Sequence, residues 1–181
     1  MQKLIIALSM ALLFPSCGPT LSLNPLYTPK DLTFDSALLG NWNEGTSSGT
    51  NVLTFAQHDE TTYELLYKEQ KQITRLQARL VKLKGHLFLD AVPWERPDND
   101  FFIPVHMIFH LTCKDDTLKI AYLDAEWVAK MVKAKKIAIA HAEVDGSLVL
   151  TASTRDLQKF IIAHANNARA FPDPGILYRQ Q

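Results

Sequence analysis

The 181-residue chain carries nineteen Lys plus Arg against nineteen Asp plus Glu, so its formal charge is zero. With acidic and basic residues interleaved rather than blocked, nothing supports an electrostatic case for nucleic acid or for a polybasic membrane patch. The length suits one domain with a real core, and two cysteines, Cys17 and Cys113, are too few for a disulfide framework.

The chain opens with Lys3, an apolar run from Leu4 to Phe14, then Pro15, Ser16 and Cys17. A bilayer-spanning helix needs ~20 apolar residues, so this run has the length of a signal-peptide core and not of a membrane span. The segment resembles a bacterial lipoprotein signal, in which residues 1–16 are removed and Cys17 is acylated as the new N-terminus. Ser16 fits the small residue before that cysteine, whereas Phe14 stands where the pattern prefers a branched aliphatic. The alternative is an ordinary secretory signal cut near Gly18. Loss of Lys3 leaves eighteen basic against nineteen acidic residues, a mature charge of −1. Residues 17–33, with Pro19, Pro25 and Pro29 among Thr, Ser and Asn, read as a tether. On this reading the protein belongs to the bacterial cell envelope, held to a membrane by lipid, with its domain outside the cytoplasm.

A domain is expected over 34–171. Leu38 to Trp42, Val52 to Gln57, Thr62 to Lys68, Ile73 to Lys84, His86 to Val92, Phe102 to Cys113 and Thr117 to Asp124 have strand character, joined by turn chemistry such as Lys84-Gly85. The period then changes. Ala125 to Lys136 places Trp127 with Met131 and Val128 with Val132 at helical spacing, with Asp124 as N-cap and lysines toward the C-terminal end. Ile137 to Val144 and Leu148 to Thr151 flank the hairpin signal Asp145-Gly146. A second helix is expected after Ser153, with Leu157, Phe160, Ile161 and His164 on one face, and residues 172–181 read as a C-terminal tail. Eight or nine antiparallel strands with two short late helices predict a mainly β protein whose sheet closes into a barrel, because a long open edge invites aggregation.

Leu39-Gly40-Asn41-Trp42-Asn43 resembles the Gly-x-Trp motif at the entrance to a lipocalin barrel, the capped helix after the last strand is a lipocalin-like order, and Leu148 to Thr154 leading into Leu157-Gln158-Lys159-Phe160 resembles the C-terminal part of uncharacterised bacterial lipocalin-like lipoproteins. The resemblance implies that Trp42 closes one end of a barrel, that Gly40 leaves room beside it, and that a small apolar molecule binds inside or at the mouth. The family's other short motifs are not matched: Tyr122-Leu123-Asp124 is a degenerate counterpart of the second, and Arg155 lies in a helix rather than at a strand end.

Tyr63, Tyr67, Phe88 and Trp94 are the candidate ligand-lining aromatics, either around a cavity or filling an eight-strand barrel that is just wide enough for side chains. No catalytic constellation or cofactor motif is visible. The serines at 47, 48, 147 and 153 lie in turns or a cap position without a Gly-x-Ser-x-Gly turn, and Asp90, Glu95, Asp98 and Asp100 read as a solvated loop cluster. His106 and His110 share a face if strand-borne, but their Cα atoms are then about 13 Å apart, too far to chelate one metal ion together. Cys113 reads as a small buried hydrophobe. Three functions stay open: a membrane-tethered carrier of a small apolar ligand, a non-catalytic protein-interaction module of the envelope, and an enzyme with an unannounced polar cluster.

Overall fold

Period-two alternation is the force behind this architecture, since each strand that puts alternate apolar residues on one face must bury that face against another. In the computed structural model, which describes residues 18–45, 51–69, 71–95 and 103–180, the chain meets this demand by closing its sheet. The strands are β1 (Leu21–Ser22), β2 (Leu32–Thr33), β3 (Gly40–Asn43), β4 (Val52–Gln57), β5 (Thr62–Glu69), β6 (Gln72–Leu83), β7 (His86–Pro93), β8 (His106–Lys114), β9 (Thr117–Tyr122), β10 (His141–Val144), β11 (Ser147–Leu150) and β12 (Gly175–Arg179). β3 to β9 form an antiparallel meander. β12 pairs antiparallel with both β9 and β3 and completes an eight-strand closed barrel, so the protein is mainly β with a lipocalin-like barrel and two short helices.

This closure corrects the reading of residues 172–181 as a tail. Arg179 stands opposite Trp42, and Leu177 opposite Leu118, so the last strand supplies the barrel's final two ladders. The expected tether is corrected as well. Pro19 bridges Asp124, β1 lies between β8 and β11, and Leu26 is fully buried, so residues 18–33 are fastened to the barrel wall. The Thr20 N–H donates to the Leu123 carbonyl at 2.7 Å, and Gln158 donates to the Leu26 carbonyl at 2.8 Å.

Two cores result. Inside the barrel, Trp42, Phe55, Tyr63, Leu65, Leu80, Leu89, Leu111 and Leu118 pack as one buried cluster. Outside it, helices α1 (Ala125–Lys133) and α2 (Thr154–His164) cover the outer faces of β6 to β9 through Trp127, Val128, Leu157, Phe160 and Ile161 against Val81, Leu83, Phe88 and Ile108. β7 is therefore buried on both faces from Phe88 to Val92. Helix α1 ends earlier than its periodicity suggests. Lys135 adopts φ 55°, and the N–H groups of Lys135 and Lys136 return to the carbonyls of Val132 and Met131, a Schellman closure that releases the chain as an extended segment before β10.

Candidate functional site: the barrel interior and the outer clefts

The interior is built from alternate residues of successive strands, and its middle is occupied by aromatic rings. Tyr63 stacks on Phe34 with centroids 4.6 Å apart and meets Phe55 edge-on at 5.8 Å. Its hydroxyl accepts from the Asp35 N–H at 2.7 Å and donates to the Asp35 carbonyl at 3.1 Å, which satisfies the one polar atom the ring brings in. Burial pushes the Tyr63 phenol up to about 12, since the phenolate is the form that loses hydration. Trp42 is also fully buried, its indole N–H donating to the Leu38 carbonyl at 2.8 Å.

The four candidate aromatics do not converge. Tyr63 and the half-buried Tyr67 belong to the interior cluster. Phe88 points the other way, into the outer core, where its ring stacks on His110 at 5.0 Å and tilts against Phe171 at 6.2 Å. Trp94, at the end of β7, carries the Arg75 guanidinium 4.2 Å over its ring and meets His58 edge-on at 4.8 Å. Strand pairing explains the split, because Phe88 lies in register with Val81 and His110, whose side chains share its face. Cys17 lies outside the described residues. Cys113 points toward the interior cluster as a half-buried free thiol, which burial holds above the ordinary thiol range.

Asp90 departs from the expected solvated cluster: it is 2 % exposed on the outer face of the barrel. One carboxylate oxygen accepts from the Leu26 N–H at 2.7 Å and the other meets His106 Nδ1 at 2.6 Å. Ser22 stands opposite His106 in the β1–β8 register, yet its hydroxyl donates to the Asn24 carbonyl at 2.8 Å. Asp90, His106 and Ser22 thus tie the N-terminal segment to the wall, and the serine is not held as a nucleophile by the histidine. His106 and His110 share the outer face, as alternation requires. Among the described residues no group of three His, Cys, Asp or Glu side chains could hold a metal ion, and no helix is long and apolar enough to cross a membrane.

Concave surface lies outside the barrel. A cleft of about 770 Å³ separates residues 136–140 from α2 and is floored by Ala152 and Phe160. At its end, the rings of Trp127, Phe160 and His164 contact one another with centroids 4.9 to 6.4 Å apart. Burial lowers the pKa of His164 from 6.5. A second cleft of about 350 Å³ runs from Gly18 and Leu21 to Ala125, Ala129 and Leu148. No sequence signal marked either cleft: the first opens where the β10–β11 hairpin gives way to α2, and the second forms between residues 18–21 and 125–148, far apart in the chain.

The fold and its two cores define a closed lipocalin-like barrel with an elaborated outer face. No family model, no curated protein and no solved structure matches the chain.

Proposed function

We propose that the protein is a cell-envelope lipoprotein, tethered through Cys17, whose barrel domain serves as a non-catalytic interaction module and not as a carrier of an apolar molecule. The observation that carries this reading is the filled interior: Trp42, Phe55, Tyr63, Leu80 and Leu89 are each at most 2 % exposed and pack into one another. An apolar ligand would have to displace an aromatic stack whose polar atom is already satisfied. The clefts lie instead on the outer face, where a partner has access.

The tether rests on the arrangement from Lys3 to Cys17 and on the arithmetic of acyl burial, ~0.8 kcal/mol per CH₂, by which two or more chains anchor stably. Gly18 accepts a hydrogen bond from the Ala125 N–H at 3.2 Å, so consecutive Cα spacing of about 3.8 Å would seat an anchored domain directly on its membrane, without slack.

Fractionation and intact-mass measurement of wild type and Cys17→Ser test the tether: the wild type should sediment with membranes and carry acyl mass, and the variant should be released. A thermal-shift screen of fatty acids, retinoids and haem-like compounds tests the module. A true interior ligand at a hundredfold excess over Kd would stabilise the fold by about 2.7 kcal/mol, so a clear rise in melting temperature would restore the carrier.

A further inference from the structure

The 770 Å³ cleft exists because two paired strands part company. The β10–β11 ladder runs from Val144↔Ser147 to His141↔Leu150, and a bond from the Thr151 N–H to the Ala140 carbonyl extends it by one residue. Carried two residues further, the register would oppose Ala138 to Ser153. Ser153 is committed elsewhere: it caps α2, its hydroxyl accepting from the Asp156 N–H and donating to the Asp156 carboxylate. The strand that would have continued turns away as a helix, and residues 137–139 lead into the ladder with no strand paired beside them.

Strand geometry tells which backbone groups that leaves open. In an antiparallel ladder, alternate residues send both N–H and C=O to the same side. Ala140 sends its carbonyl toward β11, so Ala138 sends its N–H and C=O the same way, into the cleft. Among the described residues neither group has a hydrogen-bond partner, and neither has the Ala140 N–H, whereas the Ile139 carbonyl, on the opposite side, is met by the His141 ring at 2.8 Å. The side chains agree with this reading. Ile137 and Ile139 turn into the outer core, while the small, exposed Ala138 and Ala140 leave space beside the open edge.

We propose that this fork is a β-augmentation site that receives an extended acidic segment of a partner protein, a proposal that rests on the interaction-module reading and names its partner's chemistry. The guest strand takes the place of the residues after Ala152 and pairs with Ala138. Charge selects its character. Lys136 at one end of the cleft is exposed, Lys133 and Lys135 stand exposed beside it, and Lys159 flanks the α2 wall, where its partner Asp156 is the acidic group of the lining. Phe160 and the small side chains of Ala152 and Ala163 take the guest's apolar residues, so alternating apolar and acidic residues fit best.

The experiment uses the purified full chain in detergent and seven-residue capped peptides of alternating Val and Glu, with a Val–Lys counterpart and dodecanoate as comparison probes. Calorimetry should show the acidic peptide binding at least tenfold more tightly than the basic one, and amide exchange at Ala138 should slow on binding. Lys136→Glu should abolish or invert the preference. Ala138→Pro removes the open donor and should weaken binding at least tenfold; should that variant fail to fold, the exchange measurement on the wild type decides the same point. Equal affinity for both peptides, unchanged exchange at Ala138, or binding of dodecanoate in place of peptide would overturn the fork as a peptide site. None of these outcomes bears on membrane release or on interior ligands, so the module reading stands or falls separately.

Discussion

The guanidinium of Arg179 lies 4.4 Å over the ring of Trp42, and this contact joins the last strand of the barrel to the first. Arg179 also donates to the carbonyls of Leu39 and Ala37, and to Asp116 at 3.1 Å, so one side chain ties β12 to the turn before β3 and to the β8–β9 hairpin. Gly40 permits it: φ is +114°, and a Cβ there would stand 3.3 Å from the Arg179 terminal nitrogen. Arg179→Ala should remove the ring contact, ~1 to 2 kcal/mol, and leave two carbonyls to water or to nothing. Trp42→Ala should cost ~3 to 5 kcal/mol. Arg179→Lys should fail to restore stability, since an ammonium cannot stack and fork at once. Denaturant midpoints of the three variants within error of wild type would refute this account.

Removal of β12 should be worse than the loss of any one of its contacts. Truncation before Gly175 takes both ladders from β3 and β9 and leaves two long unpaired edges around an apolar interior. The shortened chain should lose its cooperative unfolding transition and aggregate at concentrations where the full chain stays dispersed. Light scattering and circular dichroism would reveal an intact, monomeric truncated form if the seam were dispensable.

Most of the barrel was legible in the sequence because its strands are short β-branched, aromatic and aliphatic runs separated by turn signals, with period-two burial clearest in β4 and β6, and both helices carry capped faces at period 3.6. What was not legible has particular causes. β12 is five residues shortly after Pro172 and Pro174, and β1 is two residues, so neither holds a pattern long enough to read. The side on which Phe88 lies was ambiguous because Leu87, Phe88 and Leu89 are apolar on both faces, and only the outer core built by α1, α2 and Phe171 explains why both are buried. Asp90 sits near an acidic loop in sequence, yet its place is set by Leu26 and His106, sixty-four and sixteen residues away. The fork at Ala138 has no local signature, since it depends on Ser153 leaving the ladder.

Asp90 gives the outer core a testable weak point. Asp90→Ala leaves the buried Leu26 N–H unpaired, a cost of ~1 to 3 kcal/mol, and takes the partner from His106. The segment before Leu26 should loosen with it, so amide exchange at Leu26 and Thr20 should quicken more than exchange in the barrel interior. Glu95→Ala, at an exposed position nearby in sequence, should change stability by less than ~0.5 kcal/mol. Equal effects of the two substitutions would return Asp90 to the solvated cluster.

Tyr63 predicts how the barrel responds to alkali. Its folded pKa, about 12 against 10.0 for the free phenol, is raised because burial penalises the phenolate. A group with a raised folded pKa keeps more of its protons in the native state than in the unfolded chain, so stability falls as pH rises. The contribution is therefore complete below pH 10 and is lost progressively as pH climbs through about 12. Denaturant midpoints measured from pH 8 to pH 11.5 should decline in the upper part of that range, and Tyr63→Phe, less stable at neutral pH because the Asp35 N–H loses its acceptor, should decline less steeply. Absorbance titration supplies the second reading: the phenolate step missing from Tyr63→Phe should be the one centred near pH 12. A missing step near pH 10 would mean that water reaches this hydroxyl, and the interior would then be open enough to reconsider a ligand within it.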